Sequence, residues 1–178
     1  MPELWAITAY FNPMHWRRRR DNFRRFRQAL GIPLVAVELG YDNRFDLTPA
    51  DADILLQFPA DAVMWQKERL LNLALAAVPS HVEKILALDG DIVFRDPNVW
   101  PEVARALDRV SLLHAFSHVY YLPADHSLDF DVIERTLPAC AGFGHLRDQG
   151  LSTLHLCNPD WRNSSDLPPV SGAETLVA

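Results

Sequence analysis

Cysteine is scarce in this sequence: Cys140 and Cys157 are the two, 17 positions apart. That is too few for a disulfide scaffold, and the spacing fits no zinc motif. A reducing, cytoplasmic setting is the expectation. No uninterrupted apolar run approaches the about 18 residues that cross a bilayer, so no transmembrane segment is expected. Met1-Pro2-Glu3-Leu4-Trp5 has neither a basic n-region nor a small-residue cleavage site, which argues against a signal peptide. There is no Gly-x-Ser-x-Gly elbow, no phosphate-binding P-loop, no His-Glu-x-x-His and no internal repeat. The seven histidines form no cluster. His114 and His118 would share a face of a strand-like stretch, and are read as packing or exposed residues rather than a metal pair.

What is present is the balance of a globular protein. The chain has 178 residues, 49% hydrophobic and 22% charged, enough for one domain with a sizeable core. The net charge is -6, yet Arg17 to Arg20, Arg24, Arg25 and Arg27 crowd into one short stretch. Trp16, Phe23 and Phe26 interleave with them, so nucleic acid must be weighed as a partner. The acidity of the rest of the chain argues against it. The arginines read better as a solvated face, with one of Arg17 to Arg20 near an anionic ligand.

Residues 4–10 are apolar and bounded by Asn12-Pro13, which predicts a first strand. Over 14–30, Trp16, Phe23, Phe26 and Leu30 fall on one helical face, with Gly31 and Pro33 as stop signals. Residues 33–39 read as a second strand, 40–46 as a loop and 53–58 as a third strand. Residues 61–78, rich in Leu, Ala, Glu and Lys, predict a helix closed by Pro79. Ile85-Leu86-Ala87-Leu88 reads as a buried parallel strand, extended beyond Asp89-Gly90-Asp91 by residues 92–94. Asp96 as N-cap and Pro97 as first residue predict a helix over 97–108, and 110–122 offers one or two strands. Strands alternating with helices define an α/β domain with a mostly parallel sheet flanked by helices. We place that domain at residues 1–147 and an irregular tail at 148–178, where the apolar period is lost.

Asp89 and Asp91 close an apolar strand, where open α/β sheets collect ligands. Two carboxylates one residue apart repel unless a cation or donors compensate. Glycine between them lets the backbone turn and leaves room for a ligand. A hard divalent cation, Mn²⁺ or Mg²⁺, suits such oxygens and shares substrate phosphates. The plain alternative is an Asp-Gly turn.

The run from Trp65-Gln66-Lys67-Glu68-Arg69-Leu70-Leu71-Asn72 through Val78-Pro79 to Lys84-Ile85-Leu86-Ala87-Leu88-Asp89-Gly90-Asp91-Ile92-Val93-Phe94 resembles the helix, strand and Asp-x-Asp core of A-type-fold, nucleotide-diphospho-sugar glycosyltransferases. It is similar to the arrangement in glycogenin-like and bacterial lipooligosaccharide galactosyltransferases, and to a group of bacterial sequences classed with them. Thr8-Ala9-Tyr10-Phe11-Asn12-Pro13 resembles their first strand, so the resemblance covers about residues 4–122. It implies a metal-dependent transferase with a nucleotide-diphospho-sugar donor and an unknown acceptor. Carried over, Asp91 would bind the metal, and Asp89 the ribose or the metal. Arg69 and Lys67 would face the sugar or diphosphate, and Thr8, Tyr10 and Asn12 would lie near the nucleoside. A solvated helix face is the alternative for Lys67 and Arg69, and core packing for Tyr10.

The chain departs from that family in its C-terminal half, where acceptor site and base are expected. Ser171-Gly172-Ala173-Glu174 is a poor match to the family's Gly-rich segment, and the incomplete half leaves no catalytic base to name. A non-catalytic nucleotide-binding remnant is therefore the rival reading. A haloacid-dehalogenase-type phosphatase also places Asp-x-Asp after an apolar strand. Its motif lies near the N-terminus with a lysine downstream, however, and no lysine follows Lys84 here.

Overall fold

A computed structural model describes residues 3–123, 126–150 and 175–177. The described chain divides into two compact units, one of residues 1–93 and 97–111, the other of 94–96 and 112–178.

The first unit is an α/β layer structure. β1 (Leu4–Phe11), β2 (Leu34–Gly40), β3 (Ile54–Pro59) and β4 (Lys84–Ala87) form a parallel sheet of order β3-β2-β1-β4. Every residue of β2 is buried, as expected of an inner parallel strand. Helices cover both faces. On one, Ile7 of β1 and Val35, Val37 and Leu39 of β2 pack with Leu70 and Ala74 of α2 (Lys67–Ala77). On the other, Tyr10 meets Phe23 of α1 (Arg17–Leu30) edge to face, at 5.1 Å between ring centroids. Gly31 ends α1 in the left-handed conformation at φ 70°, which glycine adopts without strain.

The arginines of α1 divide along its length. Arg24 and Arg27 reach Asp51 and Asp53 at 3.4 and 2.9 Å, and Asp53 also accepts the Leu34 amide at 2.8 Å. These contacts fasten the helix to the β2–β3 connection. Beneath β2, buried Glu38 accepts the amides of Asp46 and Leu47 and the side-chain amide of Gln57, holding the 41–53 segment. Lys84, its stem buried, pairs with Asp108 and Glu3.

Three helix starts differ from the sequence reading. α1 begins at Arg17 rather than 14, with Trp16 at its N-cap and 62% exposed instead of on the buried face. α2 begins at Lys67 rather than 61, because Val63, Met64 and Trp65 stand 64–73% exposed and bury no face that would pay for helix there. α3 (Trp100–Leu107) begins at Trp100 rather than 97. A helix opened at Pro97 would need an amide hydrogen at position 101, which is proline; started at Trp100, Pro101 lies harmlessly in the first turn. The Trp100 indole also donates to the Leu30 carbonyl at 2.5 Å. The N-cap is Val99, not Asp96.

The second unit holds α4 (Phe130–Thr136) and α5 (Phe143–Asp148), neither foreseen from sequence. A second sheet has the order β5-β8-β6-β7, with β5 (Val93–Phe94), β6 (His118–Tyr120), β7 (Cys140–Ala141) and β8 (Thr175–Val177). Residues 110–117, expected as strand, contain none. Asp129 caps α4, its carboxylate accepting the Asp131 and Val132 amides. Most of the predicted irregular tail, with Cys157 and Ser171-Gly172-Ala173-Glu174, lies outside the described residues.

Candidate functional site

The sheet order has one reversal. From β1 the chain moves outward through β2 to β3, then returns to place β4 on the other side of β1. Loops leaving the carboxyl ends of β1 and β4 therefore part, and open α/β sheets bind ligands in that crevice. A cavity of about 290 Å³ lies there, lined by Ala9, Tyr10, Phe11, Arg19, Trp65, Lys67, Asp89, Gly90 and Asp91.

Asp89 and Asp91 reach it directly after β4, and both are exposed. The Lys67 ammonium, from the first residue of α2, forms an ion pair with Asp89. Asp91 forms no such ion pair among the described residues, and its carboxyl pKa is raised above the usual aspartate range. The largest cause is loss of surrounding water and the next is the Asp89 charge, opposed by Arg19 and Lys67. The two carboxylates repel each other across one residue, and Lys67 and Arg19 offset part of that repulsion. Opposite them, Trp65 packs edge-on to Phe11 at 5.8 Å, and the Arg19 guanidinium lies 5.0 Å from the Phe11 ring centroid. One wall is thus aromatic and the rim carries two cations.

Of the residues expected near a nucleoside, Tyr10 is among those lining the cavity, and Thr8 and Asn12 are buried. Thr8 is fully buried and its hydroxyl donates to the Leu88 carbonyl at 2.8 Å, tying β1 to the residue before Asp89. Tyr10 is 3% exposed; its hydroxyl donates to Asp46 at 2.9 Å, and burial, with Asp46, drives its pKa far up. Asn12 is buried and fully engaged: it donates to Asp46 at 2.6 Å and to the Trp16 carbonyl at 3.1 Å, and accepts the Trp16 amide at 3.0 Å. Thr8 and Asn12 thus brace the cavity and do not line it, while Tyr10 contributes to its floor.

Lys67 and Arg69 also part company. Arg69 lines a neighbouring cavity of about 500 Å³ with Gln66, Asp61, Phe58 and Met64, and donates to Gln66 at 3.4 Å. Residues two apart on a helix do not face the same way. Phe11 and Trp65 were within the motifs read from sequence but had no role assigned there. Phe11 has the strand parity opposite to Thr8 and Tyr10, so it could have been separated from them. Arg19 is the member of the Arg17 to Arg20 group that lines the cavity.

Among the described residues no group of three or more His, Cys, Asp or Glu converges. Two carboxylates without further protein ligands suit Mg²⁺ or Mn²⁺, which keep waters and take substrate phosphate oxygens. They do not suit a structural zinc site.

Comparison with known proteins adds little. No family model matches the chain, and no curated protein does. A solved structure, the crystal structure of S. aureus TarS, is similar over 71% of this chain and 23% of that one, at 13% identity and a TM-score of 0.33. This chain therefore spans about a quarter of TarS. What stands without that likeness is a mixed α/β protein with a four-stranded parallel sheet flanked by helices. Among the described residues no helix is long and apolar enough to cross a membrane.

Proposed function

We propose that the cavity at the β1/β4 crevice takes the diphosphate of a nucleotide-diphospho-sugar, and that the chain is a metal-dependent glycosyltransferase of the A-type kind. The observation that carries this reading is the meeting of Asp89, Asp91, Lys67 and Arg19 in one cavity at the point where the strand order reverses. Asp91 and Asp89 would hold Mn²⁺ or Mg²⁺. When bound, that ion supplies neutralisation of charge on a leaving nucleoside diphosphate. Lys67 and Arg19 present ammonium and guanidinium donors to phosphate oxygens. Lys67 also holds Asp89 in place before any ligand arrives. Phe11 and Trp65 offer apolar surface to a base or sugar face and keep water from that side.

The second reading is nucleotide binding without turnover. It is favoured by one feature: among the described residues, the cavity lining holds no carboxylate or imidazole beyond the two carboxylates assigned to the metal. Calorimetric titration with UDP and with GDP, each with and without Mn²⁺, tests the binding step. The expected outcome is binding that needs the metal and is lost in Asp91→Ala. Lys67→Ala should weaken it by about tenfold or more, as expected for a charge-assisted hydrogen bond. A folded protein that binds neither nucleotide under any metal condition would sink the reading. Sugar release from a bound donor then separates transferase from binder.

A further inference from the structure

Two loops of the first unit hold bulky apolar side chains in solvent. Met14 and Trp16, between β1 and α1, are 67% and 62% exposed; Val63 and Met64, between β3 and α2, are 73% and 64% exposed. One such residue needs no explanation, whereas a group of them marks an interaction surface. The topology groups these four. β1 and β3 run parallel in one sheet, so the segments leaving their carboxyl ends emerge on the same edge. The Trp65–Phe11–Arg19 contacts link the second loop to the start of α1.

Basic charge at this edge is concentrated at the start of α1, with the exposed carboxylates Asp42 and Asp61 following β2 and β3. α1 opens with four consecutive arginines and no acidic residue in its first turn. Arg17, Arg18 and Arg19 are exposed. Arg17 approaches Asp21 at 3.4 Å, an exposed contact that leaves donors for other acceptors. Arg24 and Arg27, further along the helix, pair with Asp51 and Asp53.

We propose that this edge docks on an anionic lipid surface. Met14, Trp16, Val63 and Met64 enter the boundary between headgroups and acyl chains, and Arg17 and Arg18 meet lipid phosphates. Exposed apolar and indole side chains beside arginines are the combination that interfacial binding uses. Tryptophan favours headgroup depth because its ring is apolar and its N–H is not. Separate anchors on two loops enter a fluid phase without the matching pockets a protein partner would need. Charge complementarity selects anionic over zwitterionic lipid, against the net charge of -6. The inference stands apart from the proposed chemistry, since no residue it requires is a ligand of the metal.

The experiment is co-sedimentation of the full chain with vesicles of phosphatidylcholine alone and of phosphatidylcholine mixed equally with phosphatidylglycerol. Binding to the mixed vesicles, reduced by added salt and much weaker on phosphatidylcholine, is expected. Arg17→Gln/Arg18→Gln should weaken it by roughly fivefold per charge removed. Met14→Ser/Met64→Ser should weaken it by roughly tenfold or more, and Arg25→Gln, further along the helix, by much less. Melting curves matching the parent establish that the variants are folded. Absence of vesicle binding, equal binding to both vesicle types, or folded variants that bind like the parent would each overturn the proposal.

Discussion

Gly90 lies against the ring of Phe23: a Cβ added at position 90 would stand 2.8 Å from Phe23 Cδ2 and 3.2 Å from Cε2. The φ of Gly90 is not in the left-handed region. Glycine is required here by packing, not by the turn, and the space it leaves is filled by a core aromatic. The expectation that the space serves a ligand is corrected accordingly. Phe23 has no exposed surface and is held between Tyr10 and Phe26, so it cannot yield cheaply. Gly90→Ala should destabilise the protein by about 1–3 kcal/mol, the usual cost of overpacking. Denaturant unfolding measures it, and Phe23→Leu in the same chain should make the double variant less costly than the sum of the singles.

Asp91 titrates high partly because Asp89 is charged. A raised native value means that the folded chain holds this proton more tightly than the unfolded chain. Asp91 therefore contributes its stability below the ordinary aspartate value and loses it as pH rises through the raised one. Asp89→Asn should move the Asp91 midpoint downward and narrow that window. Carboxyl-carbon NMR of the metal-free protein follows it directly; a midpoint that stays or rises would contradict the assignment of Asp89 as a cause.

Thr8 and Asn12 are predicted to act on stability. Thr8→Val keeps the shape but leaves the Leu88 carbonyl without its 2.8 Å hydroxyl donor, at a cost of about 1–3 kcal/mol. Asn12→Ala frees the 12–16 loop from three hydrogen bonds and should cost a similar amount. Thermal melting without any ligand is the measurement. A nucleoside contact would predict the reverse, an unchanged melt with weaker nucleotide binding.

Trp16 sets stability against surface binding. It occupies the N-cap of α1 and makes no side-chain cap hydrogen bond. Trp16→Asp supplies a cap oxygen and a negative charge at the positive end of the helix, beside the arginines. Melting should show a gain of about 0.5–2 kcal/mol, while sedimentation with anionic vesicles falls. Parallel movement of the two would refute an interfacial role for the indole.

The sheet was legible because its signals are local. The apolar runs at 4–10, 33–39 and 85–88 lie within a residue or two of β1, β2 and β4, and the buried face and C-terminal stop of α1 followed from Phe23, Phe26, Leu30 and Gly31. The start of α3 was legible too, in Pro101, but the cap at Asp96 outweighed it in the reading. Asp129 likewise marked α4. The roles of Thr8, Tyr10 and Asn12 were not legible, because Leu88 and Asp46 are their partners across 34 to 80 positions. Strand parity groups those three residues correctly but does not say which helix covers them. The place of Asp89 and Asp91 at a cavity after β4 was legible because their signal, carboxylates after an apolar strand, is local.

The hydrogen bond from Thr8 to Leu88 closes a separation of 80 residues, whereas β1, β2 and β3 pair with their neighbours in the chain. The three-stranded part can form from short-range contacts, and β4 has the longest loop to close before it is rewarded. The crevice is therefore expected to assemble last in the sheet, an order that pulsed amide exchange during refolding would check. A ligand gripping both the end of β1 and residues 89–91 would act as a clasp on that late joint, and its effect should be seen first in slowed amide exchange along β4.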